Sequence, residues 1–227
     1  MLSSSRLHCR YTKDANLSMS GHECLPDAKL EEDFKVRLET SRFILRDFAQ
    51  DDRLAFQRYQ SDPRYRALYD IEEGDESTSA RLFALFIEWQ AERPRTNYQV
   101  GIFERQRGRL IGCGGVRLKQ TDQLKAVLGL ELDPDYWGRY RVALEVGECF
   151  AEFAFGSLHV EAIVSDTSSG NHRVTKIAER YGAARIAERQ GPSWMSMRGW
   201  TEVDWALTRE QWNNRPRFGR DALLLPR

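Results

Sequence analysis

Residues 133–147, DPDYWGRYRVALEVG, join an apolar, strand-like run to the clearest helical pattern of the chain. The start of a helix that follows a strand is a common phosphate-binding place, because its first backbone N–H groups have no acceptor within the helix. Loops at such places are usually rich in glycine, which adopts positive φ easily and lets a ligand approach the backbone. This loop has one glycine, Gly138, followed by Tyr140 and Val142. The stretch is therefore either a phosphate loop with unusual side chains or the remains of one.

Hydrophobic periodicity predicts the elements on both sides of this stretch. Apolar residues at positions 142, 146, 149, 150 and 153 recur at helical spacing. A strand over 159–164, a helix over 171–181 and strands over 184–190 and 203–208 are predicted to follow. On the N-terminal side, strands over 98–104, 110–120 and 126–133 follow one another through short turns, which predicts an antiparallel meander.

The elements before the meander are less regular. A broken alternation over 36–48 predicts one strand, bent near Thr40 and Ser41. A short helix is predicted over 50–60, and Ser77 or Thr78 is placed to cap a longer helix that ends before Pro94. Residues 1–33 are polar and lack a sustained period, so we expect a disordered or loosely docked arm. A single domain over 34–214 and a tail over 215–227 complete the predicted organisation.

Composition excludes several classes of protein. Hydrophobic residues make up 41% and charged residues 30% of the 227 residues, which suits one sizeable core and a solvated surface. Lys+Arg and Asp+Glu number 34 each, and this balance argues against a protein that binds nucleic acid. No run of about 18 apolar residues exists, so no membrane span is predicted.

The cysteines indicate a reducing compartment and no metal. They stand at positions 9, 24, 113 and 149 without a disulfide framework, which favours a cytoplasmic protein. Cys113 and Cys149 fall in apolar elements and are expected to be buried. His8, Cys9, His22 and Cys24 match no standard zinc-ligand spacing, so we predict no metal site.

Five segments in this order resemble the GNAT N-acetyltransferases, most closely the branch of the ribosomal-protein alanine and serine acetyltransferases. They are LETSRFILRDFAQDD (38–52), GRLIGCGGVRL (108–118), LGLELDPDYWGR (128–139), NHRVTKIAERYG (171–182) and TEVDWALTREQW (201–212). The resemblance implies an α+β fold: one domain with a twisted, mostly antiparallel sheet, two splayed parallel strands and helices on both faces. It also implies an acyl-CoA-dependent enzyme that transfers acetyl from acetyl-CoA to the amine of a protein N-terminus or a small molecule.

The resemblance also implies where the cofactor lies. The two splayed strands would be 126–133 and 159–164, with the pantetheine arm between them and the pyrophosphate on the following loop. The cofactor-binding residues implied are Leu132, Trp137, Gly138, Arg139, Tyr140, Arg141, Val142 and Asn171. For Asn171, a plain helix cap is an equal alternative, and for Arg139 and Arg141 a solvated loop is an equal alternative.

The chain departs from the family pattern at four positions. Tyr140 and Val142 stand where the pyrophosphate loop has small residues. A non-glycine residue forced to positive φ costs about 1 kcal/mol or more, so weak CoA binding is expected. Val142 also belongs to the apolar stripe of the helix, which would turn its side chain inward and leave Tyr140 as the main obstacle. Val174 replaces a family serine, and Ala178 stands where many relatives have a tyrosine acid.

Candidates for the general base are Glu131 first and His172 second, with Glu104 a weaker third. The alternatives are an exposed strand carboxylate for Glu131 and a surface residue for His172. Aromatic residues of the expected acceptor walls are Tyr65, Tyr69, Trp89, Trp194 and Trp200. Two other functions stay open: a catalytically silent binding module of this fold, and an enzyme of this fold with another acyl donor or reaction. Apart from an amine-bearing substrate, we expect no nucleic-acid or membrane partner, and a monomer or homodimer.

Overall fold

The computed structural model describes residues 35–67, 76–119 and 121–215. The predicted arm, residues 1–33, lies outside the described residues, as does the predicted tail apart from Arg215. The disordered or loosely docked arm therefore stays a prediction, and so do the domain boundaries. Within the described residues, no helix is long and apolar enough to cross a membrane.

A mixed sheet of eight strands forms the centre of the fold, in the order β1-β2-β3-β4-β5-β6-β8-β7. The strands are β1 Arg37–Glu39, β2 Phe43–Arg46, β3 Asn97–Glu104, β4 Leu110–Lys119, β5 Asp122–Leu132, β6 Ala162–Ser168, β7 Ala184–Gln190 and β8 Thr201–Thr208. Neighbouring strands are antiparallel except β5 and β6. The predicted meander of β3, β4 and β5 and the mostly antiparallel sheet are confirmed.

Helices cover both faces of the sheet. They are α1 Arg53–Gln60, α2 Pro63–Arg66, α3 Glu76–Gln90, α4 Tyr140–Glu152, α5 His172–Arg180, α6 Ser193–Ser196 and α7 Arg209–Asn214. Side chains of α1, α2 and α3 pack with Phe103 and Cys113 in one core cluster. Those of α4 pack with Leu132 in a second, larger cluster. Because consecutive strand residues point to opposite faces, Glu131 faces the α1 side while Leu132 faces the α4 side.

The predicted single strand over 36–48 is wrong. β1 and β2 are two short antiparallel strands, with Arg37 opposite Arg46. The turn between them closes because Thr40 accepts a hydrogen bond from the Phe43 N–H on its side-chain oxygen, 2.9 Å away. The Thr40 N–H donates in return to the Phe43 carbonyl at 2.9 Å. A threonine that satisfies the backbone locally favours a turn over a continuous strand.

The predicted strand over 159–164 is displaced, because β6 begins at Ala162 and continues to Ser168. A π-helical turn, Phe153–Ser157, follows α4 directly. His159 then has φ 55°, a left-handed conformation that reverses the chain before β6. The shift carries residues 165–168 from the predicted loop into the sheet, next to the candidate site.

β5 and β6 separate along their length. They pair in parallel at three positions only, of which Val127 opposite Val164 is the last. β5 then continues to Leu132 and β6 to Ser168 without pairing to each other. The Ser165 hydroxyl donates to the Leu128 carbonyl at 2.7 Å, at the point where the strands part. The splayed pair implied by the resemblance is therefore present, and it leaves the backbone groups of β5 that point towards β6 without a strand partner.

Candidate functional site

A cleft of about 850 Å³ occupies the gap between β5 and β6. Its lining comes from both faces of the sheet. On the α1 face it includes Tyr65, Leu82, Phe86, Gln99, Cys113 and Glu131, and on the α4 face Ala143, Gly147, Asn171, Val174 and Ala178. The cleft therefore passes through the sheet, so a ligand bound on one face can meet a ligand bound on the other.

On the α1 face, the Glu131 carboxylate accepts four hydrogen bonds. Its Oε1 accepts from the Tyr59 hydroxyl at 2.5 Å, the Gln60 amide at 2.6 Å and the Cys113 thiol at 3.1 Å, and its Oε2 from the Tyr65 hydroxyl at 2.5 Å. The alternative that Glu131 is an exposed strand carboxylate is wrong. A carboxylate has about four lone-pair positions, so these donors leave little room for another.

Burial shapes the acid–base behaviour of this cluster. Tyr59 and Cys113 are 2% and 1% exposed. Loss of solvation raises the pKa of the Tyr59 hydroxyl well above its ordinary value, and the charge of Glu131 adds to the effect. The pKa of the Cys113 thiol is raised well above its ordinary value, again mainly by burial and then by Glu131. Both groups keep their protons and act as hydrogen-bond donors to the carboxylate.

A second carboxylate, Asp166, lies on the same face of the sheet. In a parallel pair, aligned residues point to the same side, and Val127 is aligned with Val164. Side chains alternate between the two faces along a strand, so every second residue points to the same side. Glu131, on β5, and Asp166, on β6, are therefore on the same face as Val127 and Val164. Asp166 is exposed and lines the cleft, and no hydrogen bond joins its carboxylate to another described residue. Unlike Glu131, it has lone pairs open to a ligand.

On the α4 face, the loop of residues 133–139 connects β5 to the first turn of α4. Asp133 is 3% exposed, and its carboxylate accepts from the Asp135 N–H at 3.0 Å and from Arg58 at 2.9 Å. Gly138 has φ 76° and is the left-handed residue of this loop. The prediction of backbone strain at Tyr140 and Val142 is wrong, because both residues belong to α4 and neither has positive φ. Val142 is 4% exposed and packs inward, as predicted.

Other cofactor candidates surround this loop. The Trp137 indole N–H donates to the Leu132 carbonyl at 2.9 Å, so that carbonyl is already engaged. The Arg173 guanidinium lies 4.7 Å from the centre of the Trp137 ring, at the start of α5. Arg139 precedes α4, and its carbonyl accepts from the Val142 N–H at 2.8 Å, but its side chain makes no cap hydrogen bond to the N–H groups before Val142. Such uncapped N–H groups favour an anion.

Asn171 and His172 both line the cleft at the start of α5. The Asn171 side chain accepts from the Val174 N–H at 3.5 Å, a long cap hydrogen bond. The residue is therefore a cap of α5 and a wall of the cleft at once. His172 is exposed, as its alternative reading predicts.

A separate cavity of about 740 Å³ adjoins the loop on its other side. Six arginines line it: Arg42, Arg105, Arg107, Arg139, Arg141 and Arg180. Arg139 borders both spaces, whereas Arg141, Val142 and Glu104 line this basic cavity and not the cleft. The weak candidate base Glu104 is therefore not brought to the gap between the strands.

The aromatic candidates divide between the cleft and the core. Tyr65 and Trp194 line the cleft. Trp89 packs against Phe86 with ring centres 5.6 Å apart, in the core beside α1. Trp200 covers Gly170, where an added Cβ would lie 2.3 Å from the indole. Tyr69 lies outside the described residues.

Comparison with models of protein families shows to which family the chain belongs. The family model of the acetyltransferase (GNAT) domain matches residues 42–184. The chain belongs to the GNAT acetyltransferase family. No curated protein sequence matches this GNAT protein.

Solved structures share the fold of this GNAT domain. A GNAT acetyltransferase from Bacillus anthracis superposes with TM-score 0.63 at 17% identity, covering 77% of this chain and 99% of the other. The ribosomal-protein-S5-alanine acetyltransferase from Vibrio fischeri gives 0.62 at 12% identity, covering 78% and 98%. A chimera of the spermidine N-acetyltransferase from Vibrio cholerae gives 0.62 at 14%, covering 77% and 100%. These likenesses show a common fold, and family membership supports acetyl transfer.

Sequence reasoning missed two residues of this GNAT cleft. Asp166 was hidden because the strand prediction ended at residue 164, and an alternation extended to residue 168 would have included it. Trp205 lines the cleft from β8 although it lies far from the loop in sequence. Among the described residues, no group of three or more His, Cys, Asp or Glu side chains is arranged to hold a metal ion.

Proposed function

We propose that the protein is an acetyl-CoA-dependent N-acetyltransferase that acts on an amine. The observation that carries the proposal is the cleft that passes through the sheet between β5 and β6. One of its ends has a helix N-terminus suited to phosphate. Its other face has two carboxylates that can attract a cationic amine, and one of them, Asp166, is open to bind it. The amine of a protein N-terminus or of a small molecule fits this chemistry equally well.

The donor would enter from the α4 face. Its diphosphate would bind the first N–H groups of α4, with Gly138 allowing close approach to the backbone and Arg139 adding positive charge. Its pantetheine arm would lie along β5, whose backbone groups after Val127 have no partner on β6. The thioester would then reach the narrow end of the gap, near Leu128 and Ser165.

The acceptor would enter from the α1 face, where the negative charges of Glu131 and Asp166 attract a cationic amine. The amine must lose a proton before its nitrogen attacks the thioester carbonyl. We assign proton acceptance to Asp166, directly or through water, because its carboxylate has no hydrogen-bond partner among the described residues. Glu131, held by four donors, would fix the shape and charge of this face. His172 stays the alternative base.

The silent-module alternative has one observation in its favour. Ala178 lines the cleft and has no ionisable group, although many relatives have a tyrosine acid there. An enzyme without that acid would need another way to stabilise the departing thiolate. Binding of CoA together with release of its thiol decides between the two functions.

The test uses the full chain with a matched pair of variants. Gly147 lines the cleft and Gly156 is exposed, and a Cβ added at either one meets nothing within 4 Å. CoA at 100 times its dissociation constant stabilises the protein by about 2.7 kcal/mol, seen as a raised melting temperature. Gly147→Trp would fill the cleft and abolish this shift, whereas Gly156→Trp would retain it. An unchanged melting temperature of the parent with CoA would refute the proposal.

Catalysis is tested by thiol release from acetyl-CoA with a panel of peptides and polyamines. We expect Asp166→Asn to lower kcat by about 100-fold, the lower range for a general base, with little change in CoA affinity. The matched control is Asp204→Asn, on the neighbouring strand opposite Asp166. Equal activity of Asp166→Asn and the parent would move the base to His172 or to solvent. Release of no thiol with any amine, despite CoA binding, would favour the silent module.

A further inference from the structure

Trp205 lines the cleft and carries a buried hydrogen-bond donor. Its side chain lies on β8, is 8% exposed and lines the gap between the splayed strands. The indole Nε1–H is buried and has no hydrogen-bond partner among the described residues. A buried donor left unpaired costs about 1–3 kcal/mol, so such groups are rare unless a ligand or water completes them.

The sheet register places this donor at the narrow end of the cleft. Trp205 lies directly opposite Ser165 in the antiparallel pair of β6 and β8, so the two side chains share a face. Ser165 marks the point where β5 and β6 part, through its hydrogen bond to the Leu128 carbonyl. Asp133 lies five residues beyond Leu128, a distance of about 17 Å along a strand. A donor molecule whose diphosphate binds the loop, and whose arm spans that length along β5, would have its thioester end beside Trp205.

The same face contains Ala178 of α5, which also lines the cleft. Its methyl group offers no proton and no hydrogen bond, and it leaves space above the strands. Trp205 offers the polar aromatic group that position 178 lacks, from the strand on the other side of β6. An indole N–H donates a hydrogen bond but does not give up its proton near neutral pH.

We propose that the Trp205 indole N–H donates a hydrogen bond to the sulfur of the acyl donor and stabilises the departing thiolate. The inference rests on the proposed function. In the reaction the amine nitrogen forms a bond to the carbonyl carbon, and the carbon–sulfur bond breaks with its electron pair on sulfur. The amine proton goes to the base on the α1 face. The thiolate holds the Trp205 hydrogen bond until it takes a proton from solvent.

Binding experiments test this role without knowledge of the acceptor. CoA and desulfo-CoA, the analogue without the sulfur, are titrated by calorimetry at about pH 7 and at about pH 9, where a thiol ionises. The parent should prefer CoA over desulfo-CoA more strongly at the higher pH. Trp205→Phe keeps a ring but removes the N–H, and should lower that preference about tenfold or more, as for a hydrogen bond to a charged group. Trp89→Phe, in the core outside the cleft, should leave it unchanged.

A rescue variant separates the hydrogen bond from packing. Adding Ala178→Tyr to Trp205→Phe places a hydroxyl on α5 and should restore part of the preference for CoA at about pH 9. A preference that is the same in the parent and in Trp205→Phe at both pH values overturns the role of Trp205 and leaves the proposed function standing. Failure of the parent to bind either compound refutes the proposed function itself. Loss of affinity for both compounds alike in Trp205→Phe would show packing only and would also overturn the role.

Discussion

Replacing Tyr59 by phenylalanine tests whether Glu131 is held as a charged group. The substitution removes one hydroxyl, whose oxygen lies 2.5 Å from the Glu131 Oε1, and keeps the ring in the core. A hydrogen bond to a charged group contributes about 1.5–3 kcal/mol to stability. For a chain of this size, each kcal/mol lowers the melting temperature by about 2–4 °C, so we expect a loss of about 3–12 °C.

The matched control is Tyr98→Phe. The Tyr98 hydroxyl donates to a neutral acceptor, the Arg95 carbonyl, at 2.9 Å, so its loss should cost only about 0.5–1.5 kcal/mol. Thermal and urea unfolding of both variants give the comparison. In a Glu131→Gln background the cost of Tyr59→Phe should fall towards that of a neutral hydrogen bond, because the two sites are coupled. A Tyr59→Phe cost no greater than that of Tyr98→Phe would refute the reasoning.

Three further predictions concern other parts of the fold. The Arg95 guanidinium donates to both oxygens of Asp47 at 2.9 and 2.7 Å, with side chains 7% and 6% exposed, so Asp47→Asn should cost about 3–5 kcal/mol in urea unfolding. The raised pKa of Cys113 keeps the folded thiol protonated while the unfolded thiol ionises above about pH 8.5. The contribution of the protonated thiol to the free energy of unfolding is complete below about pH 8.5 and is lost as the pH rises from there towards the folded pKa. Because serine has no ionising thiol, Cys113→Ser should make the melting temperature fall less steeply above about pH 8.5. Asn171→Ala should weaken CoA binding about fivefold, or 1 kcal/mol, in calorimetry, whereas Thr208→Ala, which removes the cap of α7, should not.

Local pattern in the sequence determined the order of the elements. The meander of β3, β4 and β5 could be predicted because alternation of apolar residues and tight turns are properties of neighbouring residues. The start of α5 could be predicted for the same reason, since Asn171 caps its own helix. The place of the loop before α4 followed from the change of period from strand to helix. Family resemblance then supplied the splay, which no local pattern shows.

Errors arose where a local signal was overruled by distant contacts. The π-helical turn after α4 and the left-handed His159 moved β6 by several residues. That turn is held from the far end of the chain: Arg209 donates to the Phe155 carbonyl at 2.8 Å and to the Val160 carbonyl at 2.7 Å. Periodicity within residues 150–165 contains no information about Arg209. Asp166 was missed for this reason.

The chemistry around the cleft was decided by tertiary structure alone. In the sequence, Glu131 is one acidic residue between two leucines. Its four donors come from α1, α2 and β4, elements brought together only by packing on one face of the sheet. Trp205 reads as an ordinary strand aromatic, and only the fold shows that its N–H is buried without a partner, on a strand beside the splayed pair. Hydrogen bonding and burial depend on which surfaces meet in space, whereas periodicity records only which residues are neighbours along the chain.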